Sequence, residues 1–312
     1  MLDLKGIMTE RVEKLLVEVE NLLPEKEISI VEMTDKNILN SSDGAAVTGY
    51  TDGRETIYLD PLRADEYMLI HEIMHVKLRR EVWPQIYPLV PERFTRDLAT
   101  KFDSLIDHYI FDIEIEDMKI DCTEYREKFT SKFDDWNNDE SGLGILINSF
   151  IICEGLLFDE PYKTRTIRSL ENKSPLQSLD LALKIEEIIT SCRLNKSDIR
   201  KMDVQLLNFI SHWVQEHNLQ IPFLRHMIGI SPVFTVIDLN KKASKYLKFK
   251  SEQMTFFDTN HDLASFTLKL DKTRIKTYVD NNPREISDMG RLFRKQGLKT
   301  LLESHNIKYG II

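Results

Sequence analysis

The segment His71-Glu72-Ile73-Met74-His75 constrains the chain more than any other, because its two imidazoles face one way only on a helix. Residues four apart are neighbours on an α-helix surface, whereas in a strand they would be spread along the sheet. The flanks agree with a helix: Tyr67-Met68-Leu69-Ile70 and Val76-Lys77-Leu78 supply an apolar back. Pro61 suits a first turn, Asp65 and Glu66 put negative charge near the start, and Lys77, Arg79 and Arg80 put positive charge near the end, as the helix dipole favours. The spacing predicts a helix from about Pro61 to Arg80.

Upstream, Val12, Leu15, Leu16, Val19, Leu22 and Leu23 recur at helical spacing between Thr9 and Pro24. Glu27 to Met33 is short and rich in β-branched residues. After Asp43-Gly44 come two more extended stretches, Ala45 to Tyr50 and Glu55 to Asp60, joined at Asp52-Gly53. Asp-Gly between extended runs signals a hairpin, so Ala45 to Asp60 is expected as an antiparallel ribbon beside the Glu27 strand.

Downstream, the prolines between Val82 and Pro91 read as a loop, and Glu92 to about Met118, free of Gly and Pro, as a long helix. Further helices are expected at Tyr125 to Trp136, Leu143 to Leu157, Leu176 to Cys192, Ser197 to Glu216 and Met289 to His305. Val233 to Leu239 reads as a strand, and the Lys-rich stretch Lys241 to Lys250 as a solvated helix face. The fold class is therefore α+β: a small antiparallel sheet with the His71 helix and the helix after it, within residues 1–120, then a mainly α-helical region over 121–312.

The net charge of −9, from 42 basic and 51 acidic residues, argues against a nucleic-acid partner. The three cysteines, Cys122, Cys153 and Cys192, are too few and too widely spaced for a disulfide framework or a zinc ribbon. A reducing, cytoplasmic setting is expected. The N-terminus lacks a secretory signal, and the longest apolar stretch, Ile145 to Phe158, is interrupted by Asn148 and Glu154 and too short to span a bilayer.

Two neutral imidazoles on one helix face suit Zn2+, and Glu72, next to the ligands but not needed as one, can take a proton from zinc-bound water. Together with the Ile57-Tyr58-Leu59 strand before the helix, the motif resembles the gluzincin-like HExxH metallopeptidases over about residues 27–118. In that family the active-site helix follows an edge strand that holds extended substrate by main-chain pairing. The resemblance implies a third ligand on a later helix, commonly within Glu-x-x-x-Asp.

No Glu-x-x-x-Asp stands on the following helix; Asp103-x-x-x-Asp107 and His108-x-x-x-Asp112 take its place. His108 is preferred because imidazole is the better zinc ligand, with Asp112 one turn on able to steady a neighbouring ligand through a hydrogen bond. Asp107 is the alternative, and Asp103, Glu114 and Glu116 are further candidates. Neighbouring helical residues point about 100° apart, so His108 and Asp107 are not expected to ligate together.

A donor to the oxyanion of the tetrahedral intermediate is sought among Tyr109, His212 and His226, and His217, His261 and His305 read as ordinary surface or core residues. The chain also resembles compact bacterial and phage peptidases that cleave one regulatory protein, although those use an acidic third ligand. The expected function is a zinc-dependent metalloendopeptidase acting on a restricted intracellular protein or peptide substrate, with residues 121–312 selecting or regulating it. The alternative is a non-catalytic metal-binding sensor or adaptor on the same core.

Overall fold

The structure, a computed structural model, describes residues 6–33, 46–51, 54–89, 92–137, 140–171, 173, 176–219, 221, 224, 227–250, 255–258, 263–267, 295–304 and 309–312. It is mixed α+β, with helix predominating. Two compact units divide it: Met1–Trp83 with Ile110–Tyr125, and Pro84–Tyr109 with Arg126–Ile312.

In the first unit, helix α1 (Glu10–Leu22) starts at Thr9, whose hydroxyl accepts from the Val12 amide, and buries Val12, Leu15 and Val19. Strands β1 (Ile28–Glu32), β2 (Ala46–Thr51) and β3 (Arg54–Leu59) form a sheet in the order β1-β3-β2. The β2/β3 ribbon is antiparallel, with Thr48 opposite Ile57. However, β1 pairs with β3 in parallel, Ile30 opposite Ile57, so the sheet is mixed rather than purely antiparallel. The chain reverses twice between β1 and β3, which leaves those two strands pointing the same way. The strand order also places Ile57-Tyr58-Leu59 in the central strand rather than at an edge, with β1 and β2 as the two outer strands. Centrality suits β3, whose Ile57 and Leu59 are fully buried.

Helix α2 (Glu66–Arg80) carries the His71–His75 motif and begins five residues later than Pro61. Pro61 belongs instead to a turn held by Asp60, whose backbone carbonyl accepts from Arg63 and Ala64 and whose side chain accepts from Leu62. The helix is capped by Asp65, which accepts from the Met68 amide at 2.8 Å. At its other end the fully buried Arg80 side chain pairs with Glu55 of β3 and donates to the carbonyls of Val19 and Lys26. One guanidinium thus ties the ends of α1 and α2 to the sheet.

Helix α3 (Arg93–Asp117) runs unbroken through the division between the units. In the second unit, the segment read as a loop contains β4 (Ile86–Pro88), antiparallel to β5 (Ile228–Ile230). Helix α4 (Thr123–Ser131), which begins in the first unit, ends before the expected Trp136, because turns bonded from each amide to the carbonyl three residues earlier replace it through Phe133 and Trp136. Helices α5 (Leu143–Leu157), α7 (Gln177–Thr190) and α8 (Lys196–Glu216) fall where helical spacing places them. Between them stands α6 (Glu160–Glu171), whose buried face is only Thr166 and Leu170.

Val233 to Leu239 is not one strand. Only β6 (Val233–Phe234) is extended, and a Thr235/Asp238 capping box then opens the short helix α9 (Val236–Leu239). The Lys241–Lys250 stretch is a 3₁₀ turn (Ala243–Lys245) followed by strand β7 (Leu247–Lys250), not a helix face. β7 pairs with β8 (Thr255–Asp258), and β8 with β9 (Leu263–Thr267). Helix α10 (Leu298–Ser304) occupies the described part of the Met289–His305 prediction, and β10 (Gly310–Ile311) runs parallel to β6. Among the described residues no helix is long and apolar enough to cross a membrane, and the three cysteines are unpaired with one another.

Candidate metal centre

Four-residue spacing on α2 brings the His71 and His75 rings to 5.0 Å between centroids, nearly perpendicular to each other. Phe111 of α3 stands edge-on to both, at 4.9 Å from His71 and 5.0 Å from His75. Tyr67 and Tyr125 also approach His71, at 5.8 and 6.2 Å. Such edge and tilted contacts are favourable and limit rotation of the imidazoles.

The C-terminal turns of α3 are fixed to α2 by Lys77, which contacts Glu114 at 2.6 Å and Glu18 of α1 at 3.1 Å. Burial works to lower the Lys77 pKa, but the bonds to Glu114 and Glu18 outweigh it and raise it, keeping the cation. Three residues before Phe111 on the same rod stands His108. One ring nitrogen from each of His71, His75 and His108 lies within 4.8 Å of the others, and all three residues are half-buried. Nitrogens bonded to one zinc at about 2.0–2.1 Å stand about 3.5 Å or less from each other, so closing the group takes at most a small side-chain adjustment.

Asp107, the alternative ligand, is buried but falls outside this group. Its negative charge instead acts on Asp203 of α8. Asp103 accepts from the Ile86 amide at 2.6 Å, Glu114 serves Lys77, and Glu116 is exposed. Asp112 is half-buried one turn beyond His108.

The His108 ring is held on both sides. Its Nδ1 is 2.9 Å from Oε1 of Glu154 on α5, and its Nε2 is 3.2 Å from the Ser104 hydroxyl one turn earlier on α3. Glu72 is buried, and its Oε2 accepts a 2.6 Å hydrogen bond from the Thr48 hydroxyl on β2. Neither Thr48 nor Glu154 is singled out as a site residue from the sequence. The one available sign for Glu154 is that it is the only charged residue in α5; for Thr48 there is none.

Of the proposed oxyanion donors, Tyr109 donates to the Cys192 carbonyl at 3.5 Å, and burial, then the Cys192 charge, raises its pKa. His212 is exposed and pairs with Glu216, and His226 lies outside the described residues, as do His261 and His305. His217 stacks on Trp213.

No family model matches the chain, nor does any curated protein or solved structure.

Proposed function

We propose that the chain is a zinc-dependent metalloendopeptidase, with His71, His75 and His108 holding the metal and Glu72 acting as general base. The observation that carries this reading is the gathering of three imidazoles, with the buried Glu72 carboxylate, next to His71 in sequence, held by Thr48. Three neutral nitrogen donors fit zinc and leave its full positive charge uncompensated. Bound there, zinc supplies a Lewis acid that polarises a carbonyl and acidifies water.

The chain's own residues do the rest. Glu72 takes a proton from water and returns it to the departing amine. The Thr48 hydroxyl occupies Oε2 of Glu72, which leaves Oε1 for the incoming proton. Phe111 and Tyr67 line the histidines with apolar surface, where charge–charge effects are stronger than in water. The outer edge of β2 is where an extended protein or peptide segment would add as a further strand. Three cysteines without a disulfide fit a reducing, cytoplasmic setting.

The test is peptide cleavage by zinc-loaded protein against a proteome-derived peptide library. Glu72→Gln should keep about one zinc per chain and lose cleavage by about 10² to 10⁴, whereas the His71→Ala, His75→Ala double variant should lose the zinc. If wild type cleaves nothing, and its effect in cells survives Glu72→Gln but not His71→Ala, a metal-dependent sensor or adaptor replaces the peptidase.

A further inference from the structure

We infer that Glu154 is the positioning residue of the metal centre, fixing His108 so that Nε2 is its metal-binding nitrogen, and that the Ser104 hydroxyl covers that nitrogen until metal displaces it. The inference rests on the three-histidine site proposed above and adds to it the two residues that prepare one ligand.

An ionised carboxylate only accepts, so the 2.9 Å contact to Glu154 places a proton on Nδ1 of His108. In a neutral imidazole the other nitrogen is then bare, and the 3.2 Å contact from Ser104 is a hydroxyl donating to Nε2. A ring in this tautomer presents one lone pair, on the side away from Glu154. The contact is shielded: the His108 and Glu154 side chains are 12% and 17% exposed. A carboxylate behind a ligating imidazole fixes the ring and makes its free nitrogen more basic, and removing such a partner typically costs about 10 to 100-fold in metal affinity. Ser104 acts with the opposite sign, because its hydrogen bond to Nε2 has to break before a cation takes the same lone pair. Glu154 comes from α5, 46 residues beyond His108, so the helical part of the chain supplies a component of the site.

Two measurements test this. Long-range ¹⁵N–¹H NMR on the metal-free full chain reads the His108 tautomer: wild type should carry the proton on Nδ1, and Glu154→Ala should lose that preference. Competition between the protein and a chromophoric chelator for Zn2+ reads affinity. Glu154→Ala should bind about 10 to 100-fold more weakly. The nearly isosteric Glu154→Gln, whose amide oxygen still accepts from Nδ1, should keep the tautomer and fall at the weak end of that loss. Ser104→Ala should bind at least as tightly as wild type. Should Glu154→Ala fail to fold, Glu154→Gln and the wild-type tautomer carry the test. A wild-type proton on Nε2, or zinc affinity unchanged in the Glu154 variants while His71→Ala abolishes binding, overturns this inference alone. Zinc retained in the His71→Ala, His75→Ala variant, or never bound by wild type, overturns the site and this inference with it.

Discussion

Glu72 has one carboxylate oxygen taken by Thr48 at 2.6 Å, and a base that moves a proton gains from being held this way. A hydrogen bond to a charged group is worth about 1.5–3 kcal/mol, and freedom of the carboxylate to rotate would lower the fraction of time that Oε1 faces water. Thr48→Val keeps the β-branched shape that strand β2 favours and removes only the donor. Cleavage should fall by about 10 to 100-fold with zinc content unchanged, and Thr48→Ser should restore most of the rate. A Thr48→Val protein with full activity would show that Glu72 needs no such restraint. The difference between Thr48 and the motif histidines also marks what a sequence makes legible. His71 and His75 are one helical turn apart, so local periodicity pairs them, whereas His108 is singled out from Asp107 on the next long helix only by ligand chemistry and the third ligand that the resemblance implies. Thr48 meets Glu72 across 24 residues, and Glu154 meets His108 across 46, through strand pairing and helix packing that one-dimensional patterns do not encode.

Elements with a strong apolar period are legible for the same local reason, and those that depart from the expected pattern do so for physical causes. Helix α6 escapes notice because Thr166 and Leu170 alone make its buried face, so no apolar stripe announces it. The parallel pairing of β1 escapes because the antiparallel signal of the Asp52-Gly53 turn fixes only β2 against β3. A Cβ on Gly155 of α5 would come within 2.8 Å of Phe133 and 3.1 Å of the Thr166 hydroxyl, and Phe133 is fully buried. Gly155→Ala should therefore destabilise by about 1–3 kcal/mol, as overpacking does, despite alanine's better helix propensity. Denaturant unfolding would read this, and a stabilised variant would mean that the helix pair separates freely. In the first unit, Arg80→Met leaves Glu55 buried without its cation. Loss of one partner of a buried pair costs about 3–5 kcal/mol, and Arg80→Met with Glu55→Leu should recover part of it.

Across the whole molecule, net charge is legible in composition, whereas the protonation of one buried carboxyl is not. The sequence shows 51 acidic residues with nothing to separate Asp203 from the rest. In the fold it is fully buried on α8, and neither of its oxygens has a hydrogen-bond partner among the described residues. Burial raises its pKa well above the ordinary carboxylate value, Asp103 and Asp107 push the same way, and Arg200 opposes them. Asp134, exposed, and Asp198, half-buried, shift downwards instead, through hydrogen bonds led by Ser169 and Lys201 respectively. The two kinds of shift have opposite signs in stability. A lowered carboxylate stabilises the fold above its unfolded pKa and loses that contribution as pH falls. Asp203 holds its proton in the folded chain after the unfolded chain has released it, so its contribution is complete below about pH 4 and is lost as pH rises towards the raised folded value. Asp203→Asn resembles the protonated side chain and does not titrate. Its stability relative to wild type should therefore increase from about pH 4.5 to about pH 7.5, by at most about 1.4 kcal/mol per pH unit. Denaturant midpoints of both proteins across that range measure the difference; a constant gap would mean that Asp203 ionises in the folded chain with the same pKa as in the unfolded one.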